Sequence, residues 1–319
     1  MKLTGNRIFV TESSKKEGFH GNFRFRFARG LAVCSAVISH LILISCTSAS
    51  TSSSQHDFSI KVFTSSDDQF WVNSVIIEGT HEVILVDAQL TKTSAEKVLQ
   101  KTKETKKPLS IIYITHEHAD HFLGLEVFKE AYPEVRIIAN SKVVDRISKV
   151  YQEKIDKWTK ILGSGATSHI VAISKLDDNF ITFENSKIEV FKDVQGDTDE
   201  NTMLWIPGQR ILITGDVLFN NMHVYAAETD SEARRKWLNT LKEIRELNPS
   251  VVIPGHSKVG APLDASTAVD FTGKYLLVFE EELKTAKDPD SLINAMKAKF
   301  RSSDFLLALE RGAKANVKR

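Results

Sequence analysis

Cysteine is almost absent from this 319-residue chain. The two cysteines, Cys34 and Cys46, both lie near the N-terminus, and none occurs in residues 47–319. That part of the chain therefore forms no internal disulfide and offers no thiolate as a nucleophile or a metal ligand. Mechanisms that depend on cysteine are excluded there, and any metal site must use nitrogen and oxygen ligands.

Long apolar runs and an excess of one sign of charge are also lacking. The most apolar stretch, residues 31–45, is shorter than the roughly 20 residues that a transmembrane helix needs. The formal net charge is +1, so no global field favours a nucleic-acid partner. The lysine-rich residues 101–107 lack interleaved aromatic side chains and are typical of a solvated helix end. We expect a small-molecule substrate and no nucleic-acid partner.

The first 46 residues have the order of an export signal. A basic segment that ends at Arg29 precedes the apolar run, and small residues follow it. The run ends in Leu43-Ile44-Ser45-Cys46, which resembles the bacterial lipobox, where the cysteine is lipidated and becomes the new N-terminus. We predict a lipoprotein-type signal peptide over residues 1–46, with export to the periplasm or cell surface and membrane anchoring through a lipid on Cys46. An ordinary cleaved signal or an uncleaved anchor are the alternatives.

The remainder of the chain divides into a linker and a folded part. Residues 47–57 are rich in Ser and Thr and predict a flexible linker. Beyond them, apolar patterns predict strands at 59–64, 69–78, 82–87, 109–114, 135–139, 180–183, 188–191, 202–206, 210–214 and 251–253. They predict helices at 93–106, 123–131, 141–162 and 231–247, and throughout the part beyond 264. Two successive sets of strands and helices indicate two sheets packed back to back with helices outside.

The strongest chemical signal directly follows the apolar run 109–114. There the chain reads Thr-His-Glu-His-Ala-Asp-His and places His116, His118, Asp120 and His121 within six residues, in a chain with 10 histidines. A turn at a strand end directs such side chains into one cavity. Borderline metals such as zinc favour this mixture of imidazole and carboxylate ligands, so the segment predicts a metal site.

The His-x-His-x-Asp-His pattern resembles the metallo-β-lactamase superfamily. Further elements agree in order over about residues 59–262: Asn73-Ser74, Val86-Asp87-Ala88, Gly215-Asp216 and Gly255-His256. The resemblance implies an α/β fold, a four-layer αβ/βα sandwich over residues 58–263. We expect residues 264–319 to form a helical C-terminal extension packed on the same domain. The resemblance also implies that Asp216 is a metal-bridging carboxylate and that His256 is the last ligand.

One position departs from the common pattern of this family. Where most members have a Gly-His-Thr or Ala-His-Thr, this chain has Gly196-Asp197-Thr198, as in a subset of the superfamily, so Asp197 stands in place of the third histidine. A carboxylate oxygen binds zinc at a distance similar to that of an imidazole nitrogen, so we predict that Asp197 is a ligand. The alternatives are a weak or empty first metal site, or a ligand role for Asp199 or Glu200. We expect two Zn²⁺ ions, with Mn²⁺ or Fe²⁺ as alternatives that the extra negative charge favours.

The function that the resemblance implies is hydrolysis by a metal-activated hydroxide, with an ester or lactone as the favoured substrate. Asp120 is expected to help orient the nucleophile or pass a proton. His223, seven residues after Asp216, is expected to contact substrate or protonate the leaving group, with a packed or surface histidine as the alternative. Two other functions stay open: a mononuclear iron-dependent oxygenase and a non-catalytic metal-binding surface lipoprotein.

Overall fold

The structure, a computed structural model, describes residues 58–317. The predicted signal peptide, the lipidation site at Cys46 and the predicted linker 47–57 lie outside the described residues. Across the described part of the chain, no helix combines the length and apolar character that a membrane crossing requires.

The first sheet has six strands that follow one another in chain order. Its first three strands pair antiparallel and the later ones pair in parallel. The strands are β1 (Ser59–Thr64), β2 (Asn73–Glu78), β3 (Val83–Val86), β4 (Leu109–Ile114), β5 (Arg136–Asn140) and β6 (Ser174–Leu176). Parallel strands are covered on both faces, which explains the continuous apolar sequence of β4.

The second sheet has five strands, in the order β12-β10-β9-β8-β7. These are β7 (Phe180–Phe183), β8 (Ser186–Val194), β9 (Asn201–Ile206), β10 (Ile211–Ile213) and β12 (Val251–Ile253). Two further short strands, β11 (Phe219–Asn220) and β13 (His256–Ser257), come after β10 and β12 along the chain. They pair in parallel and so link the two loops that follow β10 and β12.

Helices cover the outer face of each sheet. Those beside the first sheet are α1 (Lys92–Lys103), α2 (Ala119–Phe122), α3 (Leu125–Ala131) and α4 (Ser141–Leu162). Those beside the second are α5 (Ser231–Leu247), α6 (Ala265–Leu283), α7 (Pro289–Lys299) and α8 (Leu306–Asn316). The three C-terminal helices contribute buried side chains to the same apolar cluster as α5, including Tyr275, Phe279 and Leu309.

The side chains of β4 show how the layers are held together. Ile111 and Tyr113 point into the apolar cluster between the two sheets, whereas Ile112 and Ile114 point into the cluster beneath the helices. This alternation follows from the two-residue period of a strand. Each sheet is therefore buried on both faces, and the predicted four-layer αβ/βα sandwich with a helical C-terminal region is confirmed.

The loops that follow three buried strands meet at one edge of the sandwich. The His-rich segment follows β4, Gly215-Asp216 follows β10, and His256 comes after β12. Gly215 has a φ of 50°, and a Cβ built on it would lie 2.8 Å from Thr115 Oγ1. Glycine is therefore required where the loops after β4 and β10 touch.

Glu126 of α3 ties this helix to the loop before β6. Its carboxylate accepts hydrogen bonds from the backbone N–H groups of Ser168 and His169 and from the Ser168 hydroxyl, and Lys92 Nζ lies 3.5 Å from Oε1. Burial alone raises the pKa of Glu126, but these hydrogen bonds and the one from His169 outweigh it and lower the pKa to about 2.

We predict that Glu126→Gln lowers the free energy of unfolding at pH 7 by about 1–3 kcal/mol. The folded-state pKa lies below the ordinary 4.5, so this stabilisation is present above pH 4.5 and is lost as the pH falls towards about 2. Urea denaturation at pH 7 and pH 3 measures it, with Glu130→Gln on the same helix as the control. A difference between variant and parent that is equal at both pH values contradicts this assignment.

Candidate metal centre

The structure brings all seven residues predicted as ligands to the edge where the loops meet. Within residues 58–317, they form two groups whose nitrogen and oxygen atoms lie within 4.8 Å of one another. The first group is His116, His118, Asp197 and Asp216, and the second is Asp120, His121 and His256.

Asp216 lies between the two groups. One carboxylate oxygen, Oδ2, is 3.7 Å from His116 Nε2 of the first group and 3.1 Å from His256 Nε2 of the second. The other, Oδ1, is 3.2 Å from His121 Nε2. Asp120 is more peripheral, because its Oδ2 lies 3.6 Å from His256 Nε2 and its side chain faces the solvent-accessible cavity. Asp216 is thus the carboxylate that lies close to histidines of both groups.

In the second group, each imidazole is oriented by an oxygen atom behind it. His121 Nδ1 lies 2.7 Å from Asp87 Oδ2, and His256 Nδ1 lies 2.6 Å from the carbonyl oxygen of Phe70. Both oxygens only accept hydrogen bonds, so both Nδ1 atoms donate. This assignment turns Nε2 of each ring toward Asp216.

The imidazoles of the first group are oriented in the same way. Thr115 Oγ1 donates to Asp87 Oδ2 and thus accepts from His116 Nδ1 at 3.0 Å, which directs His116 Nε2 inward. His118 has the opposite ring orientation, with Nδ1 rather than Nε2 directed inward. Its Nε2 faces Glu228 Oε1 at 3.2 Å, and its Nδ1 faces Asp197 Oδ2 at 2.9 Å. Every one of these four histidines therefore directs one ring nitrogen toward the carboxylates of the cluster.

Several of the inward atoms are buried without a hydrogen bond of acceptable geometry among the described residues. They are His116 Nε2, His121 Nε2, Asp197 Oδ2 and Asp216 Oδ1. Buried polar atoms normally have a partner, and each unpaired one costs free energy. Nitrogen and oxygen atoms that converge closely without pairing to each other fit ligands of divalent metal ions, and this mixture suits zinc and its neighbours.

The charges of the cluster shift the pKa values of its members. Burial raises the pKa of Asp216, but the neighbouring imidazoles of His256, His121 and His116 outweigh burial and hold it well below the usual range. Burial raises the pKa of Asp197 to about 7, although His118 opposes the shift. For His118, burial lowers the pKa, but the carboxylates of Asp197 and Glu228 raise it well above 6.5. Protons and metal ions therefore compete for the same inward atoms.

The alternatives to Asp197 lie elsewhere. Asp197 is fully buried, and its Oδ1 accepts a hydrogen bond of 2.9 Å from Asn201 Nδ2. Asp199 points away and pairs with Lys142 at 2.9 Å, and Glu200 pairs with Arg146. Neither Asp199 nor Glu200 belongs to the two groups of candidate ligands.

A cavity of about 220 Å³ opens over the cluster. It is lined by ligand candidates, by aromatic side chains and by charged groups from α4 and α8, among them His118, Asp120, Asp216, His256, Phe70, Trp158, Phe305, Lys154 and Arg311. Tyr225 and Glu228 also line it, and the Tyr225 hydroxyl donates to Glu228 Oε1 at 3.3 Å. The volume lies below the range of about 300–1,000 Å³ for pockets that bind drug-sized ligands, which suits a small substrate.

His223 does not join the cluster. Its ring packs against Tyr275, with Nδ1 3.1 Å from the Tyr275 hydroxyl, and its backbone N–H donates to the carbonyl oxygen of Asp304. The side chain is buried outside the cavity, and burial lowers its pKa to about 4. This geometry favours the packed-histidine alternative over substrate contact or proton donation.

The sequence did not reveal the residues behind the histidines. In the sequence, Asp87 ends the predicted strand 82–87 and belongs to an element of the family resemblance, with no role assigned to it, yet it accepts hydrogen bonds from Thr115 and from His121. Asp87 has a φ of 60°, a conformation that aspartate tolerates but that the sequence alone does not predict. Glu228, the partner of His118, does not belong to any recognisable sequence motif.

We predict that Asp87→Asn weakens metal binding by about 10–100-fold, because the amide nitrogen cannot accept the hydrogen bonds that fix Thr115 and His121. Competition with a chromogenic chelator measures the dissociation constant. Asp193→Asn is the matched control, since Asp193 also has a positive φ, 52°, and lies outside the cluster. An unchanged dissociation constant in Asp87→Asn contradicts the orienting role.

Comparisons with known proteins agree with this geometry. The family profile described as "Metallo-beta-lactamase superfamily" matches residues 68–256. A metallo-beta-lactamase type 2 of Bacillus sp. (strain 170) is 26% identical over 196 residues, which cover 59% of this chain and 67% of that protein. A hydroxyacylglutathione hydrolase of Haemophilus ducreyi is 23% identical over 245 residues, 76% of this chain and 88% of that protein.

The solved structures support the same architecture. A metallo-beta-lactamase from Pontibacter korlensis superposes with a TM-score of 0.52 at 19% identity, over 70% of this chain and 96% of that one. Identity this low supports the fold and not a particular activity. With the family profile matched over more than half of the sequence, the chain belongs to the metallo-β-lactamase superfamily.

Proposed function

We propose that this protein is a metal-dependent hydrolase of small esters or lactones. The observation that carries the proposal is the convergence of four imidazoles and three carboxylates, several with unpaired inward atoms, at the floor of a cavity. Membership of a superfamily with hydrolases among its relatives supports metal-dependent hydrolysis in general. Esters or lactones are the substrates that we propose within that general activity.

The proposed ligands divide as the two groups do. His116, His118 and Asp197 would hold one Zn²⁺ ion, and Asp120, His121 and His256 would hold a second, with Asp216 shared. Divalent ions in such sites lower the pKa of a bound water and polarise the substrate oxygen.

The remaining steps belong to the residues around the cluster. Asp120 lines the cavity with 14% of its side chain exposed and is the most exposed carboxylate among the candidate ligands, so it is placed to orient a nucleophilic water or accept its proton. Phe70, Trp158 and Phe305 line the cavity and limit the access of bulk water.

We also propose that the protein acts outside the cytoplasm, anchored through a lipid on Cys46. The support is the order of basic residues, apolar run and Leu43-Ile44-Ser45-Cys46 in the sequence. The Ser/Thr-rich residues 47–57 would then connect the anchor to the folded domain.

We expect Asp197→Asn to bind about one transition-metal ion fewer per chain than the parent. We also expect its activity to fall by about 100-fold or more, because loss of a residue that only hydrogen-bonds to a ligand already lowers metal affinity or activity by about 10–100-fold. Inductively coupled plasma mass spectrometry counts the ions. Asp199→Asn is the matched control, since Asp199 is two residues away and its side chain is 54% exposed. Equal metal content in both variants contradicts a ligand role for Asp197.

The activity itself is tested on a panel of 4-nitrophenyl esters, γ- and δ-lactones, thioesters, phosphodiesters and a chromogenic β-lactam. We expect turnover of esters or lactones that a chelator abolishes and that falls about 100-fold or more in His116→Ala. The exposed His81→Ala serves as the control and keeps full activity. Stoichiometric iron together with oxygen consumption, or no turnover of any substrate, contradicts the proposed hydrolase.

A further inference from the structure

The C-terminal region supplies part of the cavity wall. Phe305, Leu307, Ala308 and Arg311 line the cavity together with Asp120, and all four lie beyond residues 68–256 that match the family profile. This wall is therefore built by residues outside the part of the chain that matches the profile, and its chemistry bears on the substrate.

The apolar side of the wall is continuous. The ring of Phe305 stacks on Phe70 with centroids 5.3 Å apart, and Phe70 contacts Trp158 at 5.7 Å. Phe305 has a φ of 64°, an unusual conformation for a bulky residue, which its packing against Phe70 and against the His256 ring at 4.9 Å maintains. An apolar or aromatic body of a substrate fits beside these rings.

Most charged groups of the lining already have a partner. Lys154 forms an ion pair with Glu117, and Glu228 faces His118 Nε2 at 3.2 Å. Lys154 and Glu117 neutralise each other, and Glu228 accepts a hydrogen bond from His118, so none of these four side chains offers a free positive charge to a substrate.

The cations that are left are Lys157 and Arg311. Lys157 has no carboxylate within 4.0 Å among residues 58–317, but it lies one turn after Glu153 on α4 and both line the cavity, so the nearby negative charge offsets it in part. Arg311 of α8 has no carboxylate within 4.0 Å among residues 58–317. Among the described residues, the positive charge of the Arg311 guanidinium is therefore not paired with a carboxylate.

We propose that Arg311 binds an anionic group of the substrate, so that the substrate class is an ester or lactone with an apolar body and a carboxylate. The proposal rests on the hydrolase function proposed above. A guanidinium binds a carboxylate through two parallel hydrogen bonds, and it does so most strongly where water is partly excluded. The apolar body then packs against Phe70, Trp158 and Phe305.

Binding tests this independently of turnover. The probes are 4-phenylbutyrate and 4-phenylbutyramide, which have nearly the same shape and differ by one charge, titrated calorimetrically into the metal-loaded protein. We expect the carboxylate to bind about tenfold or more tightly than the amide, the range typical of hydrogen bonds to charged groups. The preference falls about tenfold in Arg311→Gln and is partly kept in Arg311→Lys.

The matched control is Lys314→Gln, which removes one positive charge from an exposed position on the same helix. It keeps the preference of the parent. A carboxylate that bound only through the metal ions would keep its preference in Arg311→Gln as well, and that result overturns the proposal. Absence of binding by both probes also overturns it.

Kinetics separate this proposal from the hydrolase function. Mono-(4-nitrophenyl) glutarate and 4-nitrophenyl butyrate share a leaving group, and only the first carries a free carboxylate. We expect Arg311→Gln to raise KM for the glutarate about tenfold relative to KM for the butyrate. Turnover without discrimination between the two esters refutes the Arg311 site alone, whereas a binding preference without turnover refutes the hydrolase alone.

Discussion

The centre of this molecule is the buried carboxylate of Asp216, which three imidazoles approach within 3.7 Å. A buried carboxylate is costly unless it is compensated, and the surrounding histidines provide positive charge when protonated or share a cation when neutral. The outward nitrogen of each imidazole is held by an oxygen atom, so the rings cannot turn away to make other hydrogen bonds. The cluster is therefore built to hold cations, and the loops around it are shaped by that requirement.

The sandwich is what makes this concentration of ligands possible. The loops that carry the His-rich segment, Asp216 and His256 follow the buried strands β4, β10 and β12, so their starting points are fixed by packing. The loops after β10 and β12 are joined by the short pair β11 and β13, which places the ring of His256 parallel to Phe219 at 5.2 Å. Rigid elements thus hold ligand positions that flexible loops alone would leave imprecise.

Much of the fold was predictable because apolar periodicity depends on burial alone. The strand at 59–64 and the helix at 141–162 coincide with the predicted bounds. The strand predicted at 69–78 begins only at residue 73, because Phe70 has a φ of 71° and leaves the extended conformation. The bend places the Phe70 carbonyl oxygen against His256, a tertiary contact that no local pattern contains. The short edge strand β6 was missed because it is largely exposed and has little pattern.

The candidate site shows the same limit. Closely spaced histidines revealed the cluster, but the roles of Asp87, Glu228 and Arg311 could not be predicted because they depend on contacts across the fold. Asp197, for which we propose a ligand role, is the instructive case, since aspartate is shorter than the histidine that the family pattern has at this position. The loop compensates by close approach: Asp197 N donates to Asp216 O at 3.3 Å, and a Cβ on Gly196 would lie 2.9 Å from that same oxygen. The close approach of the backbone thus makes up for the shorter side chain. Only a glycine before the aspartate permits this approach.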